Sequence, residues 1–140
     1  MTTILQISIP CPLRQLFDYL SLPEINDWKI GMRVKVNFAN RQCIGIVLNK
    51  KESDDSEYIK SLKTIESKID DSPLLTEELI ETIIWMSRYY HHPIGECFQT
   101  ALPKLLRSDK TAELKKEDVW FRTETHIEKK LSQKQRLCID

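Results

Sequence analysis

The chain has 140 residues, of which 41% are hydrophobic and 30% charged, a composition typical of one globular domain with a tail or of two very small domains. No apolar run approaches the ~20 residues of a membrane-spanning helix, and the N-terminal residues have neither the basic leader nor the long apolar stretch of a secretory signal. The formal net charge of +0 gives by itself no sign of a nucleic-acid partner.

Short strands are predicted in the first half of the chain, at residues 3–9, 16–20, 32–38, 43–48 and 62–67. Pro10 and Pro12 end the first of them, and Gly31 supplies a positive φ before the third. Gly45 predicts a bulge or a sharp bend, and the charged residues 50–57 predict a loop. Short strands joined by tight turns favour a small antiparallel barrel or curved sheet.

Two of these strands alternate in polarity, so their faces are predictable. In the second strand, Phe17 and Tyr19 share one face and Asp18 lies on the other. In the third, one face carries Met32, Val34, Val36 and Phe38, and the other carries Arg33, Lys35 and Asn37. Residues 39–41 between the third and fourth strands are a plausible hairpin turn.

Two helices are predicted to follow the strands. Thr76 is a candidate N-cap of the first, and Pro93 breaks that helix near Tyr90. Its apolar stripe contains Leu79, Ile80, Ile83, Ile84, Ser87 and Tyr90, and is widened by Trp85, Met86 and Tyr89. The second helix is predicted at residues 94–102, before Pro103.

The last third of the chain differs in character. Residues 108–118 are polar and charged, which is typical of a linker. A strand is predicted at 119–123, and residues 131–140 resemble the start of a helix that stops in mid-pattern. We therefore expect this end of the chain to begin a second module that is not complete here.

Catalytic and metal-binding patterns have little support. The chain has only three glycines and no phosphate-binding loop motif. Its cysteines (Cys11, Cys43, Cys97 and Cys138) are widely scattered, which argues against a zinc site or a disulfide scaffold and favours reduced thiols. Adjacent helical side chains point about 100° apart, so we interpret His91 and His92 as structural or surface residues rather than as metal ligands.

The charge is unevenly distributed along the chain. Residues 1–51 carry seven Lys or Arg and three acids, a net charge of +4; residues 52–81 carry three and ten, a net of −7; residues 82–140 carry eleven and eight, a net of +3. The first and last segments can therefore present basic faces to phosphates, with the acidic segment turned away. Charges that are merely solvated are the alternative.

Four stretches, in this order, carry a family resemblance: P-L-R-Q-L-F-D-Y-L at 12–20, G-M-R-V-K-V running on to R-Q-C-I-G-I-V at 31–47, Y-Y-H-H-P-I-G-E at 89–96 and A-L-P-K-L-L-R at 101–107. Together they resemble the N-terminal region of the bacterial primosomal protein N′ (PriA) family of replication-restart DNA helicases. The resemblance is collinear and covers roughly residues 3–107.

The resemblance implies an α+β, mainly β fold. Residues 1–107 are expected to form a 3′-end DNA-binding domain, a small antiparallel OB-like β-barrel with two packed helices. Residues 108–118 are the linker, and 119–140 are the beginning of an incomplete winged-helix domain. The implied function is recognition of the 3′-OH end of a nascent leading strand at stalled or branched replication forks.

The F-D-Y motif supplies the implied binding pocket, formed by Phe17, Asp18 and Tyr19. In the family these residues line a pocket for the 3′-terminal nucleotide, and the acid hydrogen-bonds the terminal base. A carboxylate accepts hydrogen bonds from base amines and ring N–H groups, and an aromatic surface supports a base face. The alternative is that Phe17 and Tyr19 are core aromatic residues and Asp18 is an exposed charge on an edge strand.

The remaining site residues also come from the resemblance. Lys63 lies where the family has a basic residue near the pocket, with a solvated lysine as the alternative. Ala39 replaces the usual glycine of the family's V-P-F-G and Asn37 its proline; a methyl group at Ala39 would narrow the pocket. Arg14 and Arg41 are candidate phosphate contacts.

No cofactor or metal, and no ATPase activity, is expected in this chain. ATP, magnesium and zinc belong to the helicase part of the family, which is an ATP-dependent 3′–5′ DNA helicase. Expected partners are forked DNA and, for the full-length protein, single-stranded-DNA-binding protein and other primosome proteins. No membrane partner is expected, and the expected location is the cytoplasm of a bacterium, at the nucleoid. The alternative function is a protein-interaction β-barrel of a replication or repair complex without its own DNA-end pocket.

Overall fold

The fold is that of a computed structural model that describes residues 1–113 and 116–120. The strands are β1 (Thr2–Ser8), β2 (Phe17–Leu20), β3 (Arg33–Phe38), β4 (Arg41–Ser53) and β5 (Ser67–Lys68). The helices are α1 (Ser56–Ser61), α2 (Glu77–Tyr89) and α3 (Ile94–Ala101), followed by a short 3₁₀ helix, Lys104–Arg107. The predicted small, mainly β fold with two main helices is confirmed.

The strands form one antiparallel sheet in the order β2-β1-β4-β3-β5. Backbone hydrogen bonds also join the segment between α1 and β5 to β2, at one edge of this sheet, and to β3, next to the other edge. The N–H of Leu20 in β2 donates to the carbonyl of Lys63, and the N–H of Glu66 donates to the carbonyl of Lys35 in β3. The sheet is therefore curled, because residues 63–69, which include the edge strand β5, bond to both β2 and β3.

Two apolar clusters fill the molecule, one on each side of the sheet. The inner cluster contains Leu5, Ile7, Ile9, Tyr19, Trp28, Met32, Val34, Val36, Val47 and Ile65. The outer cluster contains Ile46, Leu75, Ile80, Ile83, Cys97, Phe98 and Leu102, and it joins α2 and α3 to β4. Because neighbouring residues of a strand point to opposite faces, Ile46 and Val47 serve different clusters.

A capping residue determines where α2 begins, and a glycine determines how closely α3 packs against the sheet. The Thr76 side chain accepts a hydrogen bond from the N–H of Leu79, which confirms the predicted N-cap of α2. Gly95 lies directly against β1: a Cβ at this position would be 1.7 Å from the carbonyl oxygen of Ile9. Glycine at 95 therefore lets α3 approach the end of β1 closely.

Several predicted boundaries are wrong. Residues 50–57 are not a loop: β4 continues to Ser53, and α1 begins at Ser56 with Asp55 as its N-cap. The predicted strand 62–67 is reduced to the bridge at Thr64 and the two residues of β5. The bulge is in β4 but not at Gly45; the register shift between Gln6 and Ile7 of β1 leaves Leu48 as the extra residue.

The predicted apolar stripe of α2 is too wide. Ile80, Ile83 and Ser87 are buried as expected, but four large residues of the stripe are exposed: Leu79, Trp85, Tyr89 and Tyr90. Helix α2 packs against α3 and the sheet through one narrow face, so its opposite side remains at the surface.

Arg33 is the largest departure from the predicted strand faces. Its side chain is fully buried and forms a two-pronged ion pair with Asp70, with N–O distances of 2.9 and 2.6 Å. The same guanidinium donates to the carbonyl oxygens of Leu106, Ser108 and Lys110. The start of the predicted linker is therefore fixed to the sheet by this arginine.

The rest of the predicted tail is partly outside the described residues. In 108–113 and 116–120 the structure has neither helix nor strand, and Val119 and Trp120, the start of the predicted strand 119–123, are exposed coil. Residues 121–123 and the predicted helix at 131–140 lie outside the described part of the chain.

Candidate nucleic-acid interface

Asp18 lies on the outer face of the sheet, in a row of polar residues that crosses three strands. It is paired with Gln6 of β1, which is paired with Asn49 of β4. The Gln6 amide donates to the Asp18 carboxylate at 3.0 Å, and the Asn49 amide donates to Gln6 at 2.9 Å. The strand register therefore holds the carboxylate in a fixed orientation from the side of β1.

Two further donors cover the Asp18 carboxylate from the solvent side. Lys51 of β4 forms an ion pair with it, and the hydroxyl of Tyr58 on α1 donates to the same oxygen. The Asp18 side chain is 15% exposed and that of Lys51 is 37% exposed. The lysine also lies 5.3 Å from the centre of the Tyr58 ring, within cation–π range.

These contacts determine the charge state of Asp18. Partial burial acts to raise the pKa of Asp18, but hydrogen bonds from Lys51, Tyr58 and Gln6 outweigh it and hold the pKa below its usual value. The hydrogen bond to Asp18 likewise raises the pKa of Lys51 and of Tyr58. At neutral pH the carboxylate is therefore ionised and acts as a hydrogen-bond acceptor only.

The two rings of the F-D-Y motif lie on the other face of β2. Tyr19 is 4% exposed within the inner cluster, and its hydroxyl donates to the carbonyl of Asn37 at 3.0 Å. Phe17 is half-buried against the same cluster and makes an edge-to-face contact with Phe38, with ring centres 4.7 Å apart. The structure thus separates these rings from the carboxylate, and Tyr58 is the aromatic ring that contacts Asp18.

Ala39 is at the exposed tip of the β3–β4 hairpin. Ala39 and Asn40 both have positive φ, 48° and 59°, the pattern of a tight two-residue hairpin turn. Phe38 precedes this turn and contacts Phe17, so the tip is next to the start of β2. The methyl group that replaces the family's glycine is therefore exposed beside the half-buried Phe17.

We expect Ala39→Gly to stabilise the chain by about 0.5–1 kcal/mol. The left-handed conformation costs a non-glycine residue about 1–2 kcal/mol, and the greater freedom of glycine in the unfolded chain offsets about 0.4–1 kcal/mol of the gain. Urea denaturation measures the difference. Asn40→Gly is the matched control and should gain less, because asparagine tolerates this conformation. A loss of stability in Ala39→Gly would contradict the inferred backbone strain.

The other predicted contacts lie around β2 rather than on it. Lys63 is exposed, and its carbonyl accepts from the N–H of Leu20, so it lies at the end of β2 opposite Phe17. Arg41 is exposed at the start of β4, next to the hairpin turn. Arg14 is exposed and bonds the ring of His91 at 3.0 Å, which places it by the α2–α3 turn. Lys63 and Arg41 are therefore near opposite ends of β2.

Sequence reasoning did not find Gln6, Lys51 or Tyr58. Gln6 lies beside Asp18 because of the register between β1 and β2. The sequence between these strands, which contains Pro10 and Pro12, does not specify that register. Lys51 was assigned to the loop predicted at 50–57, but it belongs to β4. Tyr58 follows that loop and was assigned to no element, but it belongs to α1. The missed signal was that β4 is longer than its apolar stretch.

The described residues contain no group of three or more His, Cys, Asp or Glu side chains arranged to hold a metal ion. His91 is exposed with a positive φ of 53°, and His92 contacts Glu96 at 3.0 Å. Among the helices in the described part of the chain, none is both long and apolar enough to cross a membrane.

Comparison with known proteins identifies the family. The model of the PriA 3′DNA-binding domain (3′BD) matches residues 6–103, which include Asp18, Ala39 and Lys63. Among similar proteins are the replication restart protein PriA of Buchnera aphidicola (subsp. Acyrthosiphon pisum), 37% identical over 108 residues, and that of Haemophilus influenzae, 33% identical over 109 residues.

These alignments cover 76% and 78% of this chain but only 14% and 15% of the two relatives. The PriA protein of Bacillus subtilis is 38% identical over 87 residues, which are 62% of this chain and 11% of that protein. The chain thus spans about one seventh of the length of these relatives. The family resemblance read from the motifs is confirmed, and the chain belongs to the PriA 3′DNA-binding domain family.

Proposed function

We propose that this chain binds the 3′-OH end of a nascent leading strand at stalled or branched replication forks, with the terminal nucleotide at Asp18. The observation that carries the proposal is the carboxylate itself, ionised and held on the outer sheet face by Lys51 and Tyr58. Lys51 and Tyr58 both lie at the surface, so a ligand can take over their hydrogen bonds to Asp18 without unfolding the core.

The chemistry of the site suits the edge of a nucleobase. An ionised carboxylate accepts from the amino groups of adenine and cytosine and from ring N–H groups. The Tyr58 ring provides an aromatic surface beside the carboxylate, on which a base can stack. Lys51, once released from Asp18, provides a positive charge for a phosphate. Lys63 and the backbone of Ala39 are proposed to contact the sugar from the two ends of β2.

We also propose that the domain is an OB-like barrel followed by the start of a second domain. The curled five-stranded sheet, with residues 63–69 joining its edges, supports an OB-like barrel. OB-like barrels bind single-stranded nucleic acids on their sheet face, which fits the outer position of Asp18. We also propose that residues 119–140 begin a winged-helix domain and that residues 108–118 connect the two.

The relatives are about seven times longer than the match, so the activity of a whole protein is also a proposal. We propose that this domain orients an ATP-dependent helicase on the fork, with ATP, magnesium and zinc bound by that helicase. Single-stranded-DNA-binding protein and other primosome proteins are the proposed partners, in the bacterial cytoplasm at the nucleoid.

A comparison of two forks tests this function. The chain is titrated with a forked duplex that has a 3′-OH leading end and with the same fork blocked by a 3′-phosphate, at several salt concentrations. We expect a clear loss of affinity on blocking, since the terminal nucleotide no longer fits the site. Equal affinities for the two forks at every salt concentration would contradict the proposal.

A protein-interaction module is the second candidate, and one surface favours it. Trp85, Tyr89 and Tyr90 are 58%, 64% and 67% exposed and contact each other, with ring centres 5.0 and 4.9 Å apart. Exposed aromatic clusters of this kind are typical of protein contacts. This function predicts weak fork binding that salt abolishes equally for the open and the blocked end.

A further inference from the structure

A groove with a volume of about 250 Å³ lies between the β1–β2 connection and the two main helices. Its more buried part is apolar and is formed by Leu16 of the connection, Ile84 of α2 and Ile94 of α3. Arg14 lines it from the connection and Arg88 lines it from α2. Among the described residues, no aspartate or glutamate lines this groove. The groove therefore presents positive charge above an apolar base.

Both guanidinium groups in this groove can bind an anion. Within residues 1–113 and 116–120, neither of them forms an ion pair with a carboxylate. Arg14 donates to Nδ1 of His91 at 3.0 Å, a bond that holds the side chain and leaves its other N–H groups available. Arg88 is exposed in the last turn of α2. Since two positive side chains that line one groove repel each other, a bound anion relieves this repulsion.

The groove adjoins the Asp18 site along the edge of the sheet. Leu16 immediately precedes β2 and lies two residues before Asp18, so the alternation of this strand places both side chains on one face. Ile84 and Ile94 agree with this placement, because both pack against the outer cluster and Asp18 lies on the outer face.

No core residue separates the groove from the carboxylate. Residues 14–18 are all exposed or half-buried, so the surface is continuous from one to the other. Five consecutive residues place the Cα atoms of Arg14 and Asp18 at most about 14 Å apart. This distance corresponds to about four nucleotides of a stacked strand, so DNA that reaches Asp18 also reaches the groove.

We propose that the groove between Arg14 and Arg88 binds phosphates of the fork DNA next to the 3′-end site. Planar guanidinium groups match phosphate oxygens in two-pronged hydrogen bonds, and the apolar base contacts a deoxyribose. A contact to the DNA backbone carries no information on the base or on the chemistry of the strand end. The inference rests on the proposed function for its ligand, and it adds a contact that holds the fork whether or not its 3′ end is free.

The test uses the 140-residue chain and the two forks, one with a 3′-OH leading end and one with a 3′-phosphate. Arg14→Gln and Arg88→Gln should each weaken binding of both forks by the same factor, roughly three- to tenfold at low salt. The ratio of the two affinities should remain that of the unsubstituted chain. The slope of log affinity against log salt should become shallower by about 0.7–0.9 for each arginine removed.

Matched controls separate this groove from general attraction to DNA. Lys104→Gln removes one exposed positive charge that does not line the groove, and it should change either affinity by less than about twofold. Arg14→Lys retains the charge but loses the two-pronged geometry, so it should retain the salt slope and recover only part of the affinity. Thermal melting verifies that each variant is folded. Unchanged binding in Arg88→Gln, an equal loss in Lys104→Gln, or a loss confined to the 3′-OH fork would overturn the proposal.

The two proposals fail in different ways. If the unsubstituted chain binds the two forks equally, the proposed recognition of the 3′ end fails, and the arginine variants still report on the groove. If the chain distinguishes the forks and both arginine variants match its affinities and its salt slope, the groove proposal fails alone.

Discussion

We expect Arg33→Met to lower the free energy of unfolding by about 3–5 kcal/mol, the largest effect of any single substitution described for this chain. Arg33 is 0% exposed, and each of its guanidinium N–H groups has an acceptor: the Asp70 carboxylate or a carbonyl of residues 106, 108 or 110. Removing the arginine leaves the Asp70 carboxylate, which is 7% exposed, without a compensating charge.

Urea denaturation of the chain measures this loss. Lys35→Met is the matched control, because Lys35 lies on the same strand and pairs with Asp109 at the surface, with side chains 24% and 61% exposed. It should change stability by less than about 1 kcal/mol. Arg33→Met/Asp70→Asn should recover part of the loss, since the buried charge is gone. Equal small losses in Arg33→Met and Lys35→Met would contradict this account of Arg33.

The second large effect concerns binding. Asp18→Asn should weaken binding of a fork with a 3′-OH end by about 1–3 kcal/mol, the value of one good contact to a base edge. The amide retains one acceptor but loses the charge and the second acceptor oxygen. The variant should remain folded, since Lys51 and Tyr58 are near the surface and the substitution leaves the inner cluster unchanged.

Asp27→Asn is the matched control for Asp18→Asn. Asp27 also pairs with a lysine, Lys68, but it lies on the surface and is not part of the polar row of Asp18. The Asp27→Asn substitution should leave the affinity for the fork unchanged within the error of the titration. Fluorescence anisotropy with a labelled fork measures both variants. Unchanged affinity in a folded Asp18→Asn variant would remove Asp18 from the site.

The local pattern of the sequence predicted most of the strands and both main helices. Alternation placed Val34 and Val36 in the core, and it placed Phe17 and Tyr19 opposite Asp18. The cap at Thr76 and the break at Pro93 followed from residue chemistry that acts within a few residues. These features depend on local sequence, so they do not require knowledge of the fold.

The errors arose where distant residues decide the structure. Arg33 is buried because Asp70 and the carbonyls of residues 106–110 surround it, and alternation alone assigns an arginine to solvent. Trp85 and Tyr89 are exposed because α2 packs through a narrow face, which hydrophobicity does not reveal. Helix α1 has no buried residues and is held by its Asp55 cap, so no apolar pattern predicted it.

The candidate site was predictable in part. The motif resemblance selected Asp18, and the structure places that carboxylate on the outer sheet face. Its neighbours Gln6, Lys51 and Tyr58 depend on the strand register and on the true length of β4, which a single sequence does not specify.

The central claim, that Asp18 holds the terminal nucleotide of a strand with a free 3′-OH, is tested most directly by combining the Asp18→Asn substitution with the 3′-phosphate block. Affinity is measured for both proteins with both forks. We predict that the substitution weakens binding of the 3′-OH fork by about 5- to 150-fold and has almost no effect on the blocked fork, since the base is already absent from the site. Equal losses on the two forks, or no loss on either, would contradict the claim.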